Sequence, residues 1–326
     1  MQTIDRPAPA PPARVVVAEG VWGAPLEQLA RVHDVLRLDP DDASPTRDGR
    51  LVGVTALVVR NRTRVTRELL EANPGLRVVA RAGVGLDNID LAAADDTGTV
   101  VLSPRGANAR SVAEHALALA LAVRRHVVDL DRQCRAGEWD RRPGRELLGG
   151  TWGVLGAGAT GRACADLATA LGMRVVAYDP YADPADLSGI ERGDLRSVAA
   201  AADVLSIHLP GGPGTTGLVD DALLAVMKPT AILLNLGRGE IVDEDALVRA
   251  LQKGRLAGAG LDVRATEPPT PGVLETLPTV VLTPHVAGLT EQSQQRITQV
   301  LADELATVLG GGTATAAVGR HRELVR

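Results

Sequence analysis

"GVLGAGATG", residues 153–161, decides how the rest of the chain is read. An apolar run ends in Gly156, Gly158 and Gly161 with the spacing G-x-G-x-x-G, and a helix-forming stretch, "ATGRACADLATALG", follows. In a chain with 35 glycines the spacing alone is weak; between a strand and a helix it has physical content. The first glycine permits a tight turn, the second lets the backbone approach a pyrophosphate, and the third lets helix and strand pack closely. The helix start adds free N–H groups and a positive dipole end for phosphates. The next strand, "RVVAYD" (174–179), ends at Asp179, 18 residues beyond Gly161, where a carboxylate accepts from ribose hydroxyls and repels a 2′-phosphate. Pro180 and Tyr181 follow instead of a base, so the unit predicts NAD in preference to NADP.

Outward from this unit the same alternation continues. Strands are expected in "DVLSIHLP" (203–210), "AILLNLG" (231–237), "AGAGLDV" (257–263) and "TVVLTPH" (279–285), with helices over 220–227 and 243–254. Upstream, "RVVVAEG" (14–20), "TALVVR" (55–60), "LRVVARAG" (76–83) and "TVVLSP" (99–104) read as strands, and 66–73 and 90–98 as helices. Asp90 fits an N-cap and Gly98 a C-terminal stop. A long apolar helix starts near Ser111, whose spacing to Glu114 fits a capping box, and another spans 290–310. Residues 124–146 carry seven arginines among five acids and read as a solvated arm, with an oligomer contact as the alternative. The pattern predicts an α/β protein of two Rossmann-like domains with doubly wound parallel sheets.

Composition narrows the function classes. The 326 residues suit two domains, and 45% apolar content with no Phe requires cores of Ala, Val and Leu. A net charge of −5 argues against a nucleic-acid partner. Cys134 and Cys164 stand far apart, so neither a disulfide framework nor a cysteine-rich metal site is expected, and no metal is assigned. "ALALALAV" (116–123) is too short to span a bilayer, and the Pro/Ala-rich residues 1–14 read as a disordered lead-in, which points to a cytoplasmic protein without a membrane partner.

Three later segments place polar residues at or past predicted strand ends: Arg238 in "NLGRGEIVDEDAL", Glu267 in "GLDVRATEPP" and His285 in "TPHVAG". In open parallel sheets that edge binds ligands. Each residue also has a plainer reading, as a strand-end cap, a loop acid and a structural histidine; their order behind one dinucleotide motif favours an active set. His285 can carry a proton near neutrality, Glu267 can hold its other ring nitrogen, and the planar fork of Arg238 suits a carboxylate. His115, inside an apolar helix, reads as packed or interfacial and not as catalytic.

With "GVGLDNID" (83–90), the dinucleotide glycines, "NLGRGEIVDEDAL", "LDV…EPP" and "PHVAG" in this order, the chain resembles the D-isomer-specific 2-hydroxyacid dehydrogenases from about residue 50 to 305. "RNRT" (60–63) and "RAGVGLDN" (81–88) look most like the phosphoglycerate-oxidising branch. The resemblance implies a substrate domain of residues 1–104 and 290–326, an inserted NAD-binding domain of 105–289, and a site in the cleft between them. It implies that His285 is the acid–base group, Glu267 its partner and Arg238 the carboxylate clamp. Around NAD it places Ala159, Thr160, Leu209, Pro210, Thr215, Leu236, Gly237 and Gly288 with the glycines and Asp179. Asp262 would bind the nicotinamide carboxamide, and His208 would wall the adenine pocket. Val84 and Gly85 would offer backbone amides to the substrate, and Asn108 and Ser111 would line the cleft. Arg60, Arg62 and Arg81, if clustered in space, would take a phosphate; the alternative is that one or two of them are solvated.

The implied activity is hydride transfer between NAD and a D-2-hydroxy acid, 3-phosphoglycerate first, with hydroxypyruvate, glyoxylate or another 2-keto acid as the alternative. Formate and phosphite dehydrogenases share the scaffold. NAD-dependent co-repressors share the fold and these residues too, so a binding module stays open. A homodimer is expected. Arg264 departs from the apolar or aromatic residue usual at its place, where it would touch the substrate mouth or face water. The chain stops soon after the helix at 290–310, so feedback through a C-terminal regulatory domain is not expected.

Overall fold

Without Phe, the strands are built from Val, Leu, Ile and Ala, whose alternation feeds two apolar layers, one on each sheet face. In the computed structural model, residues 12–21, 23–39, 49–183, 187 and 189–320 are described. The lead-in expected over 1–14 lies outside them except for its last three residues. The chain divides into two units, Met1–Ala107 with Glu291–Arg326, and Asn108–Thr290.

The first unit begins β1 (Arg14–Val17), α1 (Ala24–Leu29), β2 (Asp34–Arg37), β3 (Ala56–Val59), α2 (Arg67–Ala72), β4 (Val78–Arg81), α3 (Leu91–Thr97) and β5 (Val100–Leu102). Val15 and Val17 enter one core and Val16 the other, as period-two alternation requires. Asp90 caps α3 by accepting from the Ala93 amide, and Gly98 closes it at φ 73°.

The second unit holds α4 (Ala109–Arg124), α5 (Val127–Arg135), β6 (Thr151–Leu155), α6 (Ala159–Ala170), β7 (Arg174–Tyr178), β8 (Glu191–Arg192), α7 (Leu195–Ala201), β9 (Val204–Ile207), α8 (Asp221–Leu224), β10 (Ile232–Asn235), α9 (Glu244–Gln252), β11 (Gly258–Leu261) and β12 (Val280–Leu282). The chain then returns to the first unit as α10 (Glu291–Leu309) and β13 (Ala317–Val318).

In the first unit the sheet order is β13-β5-β4-β3-β1-β2, parallel except for β13. In the second it is β12-β11-β10-β9-β6-β7-β8, parallel throughout. The order reverses at β6, which puts the glycine turn at the switch point of a doubly wound sheet. Helix α4 lies directly on β11: a Cβ on Gly258 would sit 2.6 Å from Val123, and one on Gly260 3.0 Å from Leu119. Trp152 is buried, with its indole N–H donating to Ser206 Oγ at 2.8 Å.

Several expectations need correction. The long helix starts at Ala109, not Ser111; Ser111 lies buried within it, paired at 2.8 Å with Thr290 Oγ1, so the capping box does not form. The solvated arm contains α5, where Asp129 is buried and accepts from Arg132 (2.5 Å), Gln133 (2.9 Å) and Arg142. Elements α1, β2, β8 and β13 were not anticipated; each is six residues or fewer, too short for a periodic signal.

Glu19, just past β1, organises the loop that follows β3 at the carboxyl edge of the first unit's sheet. It is 5% exposed and accepts from four successive amides: Arg60 (2.9 Å), Asn61 (3.2 Å), Arg62 (3.1 Å) and Thr63 (3.0 Å). Burial works against its charge, but the amides outweigh it and hold the carboxyl below its usual range. A depressed carboxyl stabilises the fold above its unfolded pKa and loses that contribution as pH falls. Glu19→Gln, which turns a donor toward these N–H groups, is expected to lower unfolding free energy at pH 7 by about 1–3 kcal/mol. Urea titrations should show the wild-type advantage shrinking below about pH 4.

Candidate active site

Each motif lies at the carboxyl edge of the second unit's sheet. At Gly156 the backbone takes φ 93°, and a Cβ would sit 2.9 Å from the His208 carbonyl carbon and the Leu209 nitrogen. Gly161 packs against Gly156, whose oxygen a Cβ would reach at 2.0 Å. Gly158 is different: a Cβ there meets nothing within 4 Å, so open space lies over the start of α6, where Ala159 and Thr160 begin the helix. No side chain caps that helix, so its first N–H groups face this space, an arrangement that fits a dinucleotide pyrophosphate.

Asp179 follows β7. Its Oδ2 accepts from Ala157 N at 2.8 Å and its Oδ1 from Tyr181 N (2.9 Å) and Ala182 N (3.1 Å). The acid thus ties the glycine loop to the loop after β7. Two ribose hydroxyls would have to displace at least one of these donors. His208, after β9, holds Nε2 3.0 Å from Ser206 Oγ, while Nδ1 is buried without a hydrogen-bond partner. Leu209 and Leu236 are buried at neighbouring strand ends, with Pro210 and Gly237 beside them; a Cβ on Gly237 would lie 2.7 Å from the Leu209 oxygen. The Thr215 hydroxyl closes its own turn on the Pro210 carbonyl at 2.8 Å.

Arg238, Glu267 and His285 follow β10, β11 and β12, three adjacent parallel strands. The His285 Nδ1 and Glu267 Oε2 atoms lie 2.8 Å apart. The other Glu267 oxygen accepts from the Arg264 amide at 3.1 Å. Arg238 projects from a turn pinned by buried Asn235, whose amide group donates to the Arg238 carbonyl (3.0 Å) and accepts from Gly237 N (3.1 Å). The Arg238 guanidinium donates to the Gly237 carbonyl at 2.9 Å.

Asp262 holds the histidine turn from beneath. Its side chain is 1% exposed. Oδ1 accepts from Thr283 Oγ1 (2.5 Å) and Val286 N (2.9 Å), and Oδ2 from Ala287 N (2.9 Å). The His285 amide donates to the Asp262 carbonyl at 2.8 Å, and His285 sits in the left-handed region at φ 55°. His115 packs under the same turn, with Nε2 3.0 Å from Thr283 Oγ1. Asn108 lies against Gly288, where a Cβ would come within 2.5 Å of its Nδ2.

Arg264 does not face water. Its side chain is 10% exposed and forks onto Glu244 at 3.0 and 2.9 Å, with a further bond to Glu275. Sequence reasoning also missed Asn235, the anchoring work of Asp262, and Glu244, which read only as a first-turn acid.

In the first unit, Arg60 directly follows Val59, the register partner of Arg81, so the two arginines lie on adjacent strand ends. The Arg81 guanidinium folds over Gly83, where a Cβ would lie 1.7 Å from Nη1. Arg62 Nε is 3.9 Å from Glu19. Val84 lends its carbonyl to Ser103 Oγ at 3.2 Å, next to Gly85.

Residues 117–287 match the model of the D-isomer specific 2-hydroxyacid dehydrogenase NAD binding domain. The chain belongs to this family. It is 45% identical over 260 residues to D-3-phosphoglycerate dehydrogenase of Mycobacterium leprae, covering 78% of this chain and 49% of that one. It is 44% identical over 264 residues to (S)-sulfolactate dehydrogenase of Chromohalobacter salexigens, covering 79% and 85%. Among solved structures it is similar to the NADPH-dependent glyoxylate/hydroxypyruvate reductase of Sinorhizobium meliloti in complex with NADP and malonate, at 30% identity and TM-score 0.84 over 95% and 97% of the two chains. The chain thus spans about half the length of the phosphoglycerate dehydrogenase it matches. Among the described residues there is no candidate metal cluster, and no helix is long and apolar enough to cross a membrane.

Burial pushes the His208 imidazole down to about 4. A histidine whose folded pKa lies below its unfolded value destabilises the fold as pH drops between the two. Between about pH 6.5 and 4, the protein should lose on the order of 3 kcal/mol through this one group. His208→Gln should flatten that part of the stability–pH curve, read from urea midpoints.

Proposed function

We propose that the chain is an NAD-dependent D-2-hydroxyacid dehydrogenase acting on a 2-hydroxy acid that bears a second, distal oxyanion, with 3-phosphoglycerate/3-phosphohydroxypyruvate as the first candidate. The observation that carries the reading is the 2.8 Å contact between His285 Nδ1 and Glu267, with Arg238 on the next strand end but one. Bound NAD supplies the hydride acceptor, or as NADH the donor. When the hydroxy acid is oxidised, the Nε2 face of His285 takes the hydroxyl proton; in reduction it returns that proton. Glu267 accepts the Nδ1–H, which fixes the tautomer and stabilises the imidazolium. Arg238 clamps the substrate carboxylate.

The carboxylate of Asp179 favours NAD over its 2′-phosphorylated form, since a phosphate there would meet a negative charge. Asp262 retains one Oδ2 lone pair for the nicotinamide carboxamide, its other sites being filled by Thr283, Val286 and Ala287. Asn108 and the Val84–Gly85 amides are assigned to the substrate carboxylate.

Arg60, Arg62 and Arg81 are assigned to the distal anion. Arg60 and Arg81 on neighbouring strand ends support this. A sulfonate would satisfy the same guanidinium groups, and likeness to the sulfolactate enzyme over 85% of its length favours it as the second reading. Exposed Val127, Val128, Trp139 and Leu148 support a homodimer, here taken as cytoplasmic.

NADH oxidation against 3-phosphohydroxypyruvate, 3-sulfopyruvate, hydroxypyruvate and glyoxylate tests the reading. The two anionic substrates are expected to give the highest kcat/KM. Substituting His285→Ala should cut kcat by about 10²–10⁴-fold while NADH affinity persists. Tight NADH binding with no turnover on any of the four acids would instead support a binding module.

A further inference from the structure

The acid that serves His285 stands on a loop with little apolar anchorage. Residues 265–273, "ATEPPTPGV", are all exposed, and Leu274 is the first buried side chain after Val263. Yet Glu267 has both carboxylate oxygens engaged, one by His285 and one by the Arg264 amide. Something other than apolar packing must hold that amide.

We propose that Arg264 is a positioning residue for the Glu267–His285 pair, its guanidinium locked between Glu244 at the start of α9 and Glu275 beyond the loop. Four observations support it. The Arg264 fork is bidentate on Glu244, at 3.0 and 2.9 Å, and only 10% of the side chain is exposed. Glu244 Oε1 also accepts from Ala265 N at 2.9 Å, so one carboxylate grips side chain and backbone together. Glu275 binds the third guanidinium nitrogen and, through Oε2, the Gly272 amide at 2.7 Å, closing the far end of the loop. The Arg264 peptide rests on Gly239, where a Cβ would lie 1.9 Å from its carbonyl carbon and oxygen. Gly239 adjoins Arg238, so the lock fixes the loop against the turn that carries the carboxylate clamp. A planar, multidentate, always-charged group suits this role, and a lysine ammonium could not fork onto Glu244 while also reaching Glu275.

The inference rests on the dehydrogenase reading only for its effect on turnover; the ordering of the pair is independent of it. The test therefore uses two readouts on the whole chain. In protein labelled with 15N-histidine, the hydrogen-bonded Nδ1–H of His285 is assigned by its loss in His285→Gln. That resonance is expected to vanish or broaden in Arg264→Met and to survive in Arg264→Lys only at reduced intensity. With NADH and 3-phosphohydroxypyruvate, Arg264→Met should lower kcat about tenfold or more while KM stays within about twofold, since a displaced acid–base pair costs rate and not binding. Glu244→Gln repeats both measurements should Arg264→Met fail to fold. An unchanged His285 resonance in the folded variants overturns the assignment, whatever their turnover. Loss of the resonance in a protein whose wild type turns over none of the tested acids upholds the positioning role and removes the enzymatic reading.

Discussion

A buried carboxylate holds the site together. The Asp262 side chain is shut off from the surface, so its oxygens must be met by donors within the fold, and the turn that bears His285 supplies them. Two amides and a hydroxyl converge on its oxygens, and its own carbonyl takes the histidine amide. The left-handed backbone at His285 persists because these bonds over-determine the turn. Without the acid, the strand end after β12 would have no reason to present an imidazole at this edge.

The same economy recurs at every strand end that matters. Asn235 pins the turn before Arg238, Asp179 ties the glycine loop, and Glu19 gathers four amides in the first unit. At the carboxyl edge of a parallel sheet the strand ladder stops and backbone amides are left for side chains to meet. Polar side chains take over there, and their geometry is directional where apolar contact is not.

The sequence made the architecture legible wherever strands ran as Val/Ile/Leu blocks ending in Gly or Pro. Both sheets, the glycine turn and the three polar residues after β10, β11 and β12 follow from such blocks. The short edge elements β2, β8 and β13 do not, because two to four residues carry no period and their place depends on tertiary partners. Ser111 misled for a related reason: its spacing to Glu114 suits a cap, but the helix begins at Ala109 and the Ser111 hydroxyl pairs with Thr290, a partner far away in sequence. Residues such as Arg264, Glu244 and Glu19 were invisible as partners, since a charge pair 20 residues apart leaves no local pattern. His115 was legible as packed, though not as a support of the turn below His285.

The ends of the second unit touch one another. Ser111 and Thr290 share a 2.8 Å hydrogen bond, and Asn108 packs on Gly288. A chain that enters this unit leaves it within a few ångströms of the entry point. The segment is therefore a cassette with a self-sealing seam, of the sort that can be lifted out, expressed alone or exchanged for a relative's without rerouting its host.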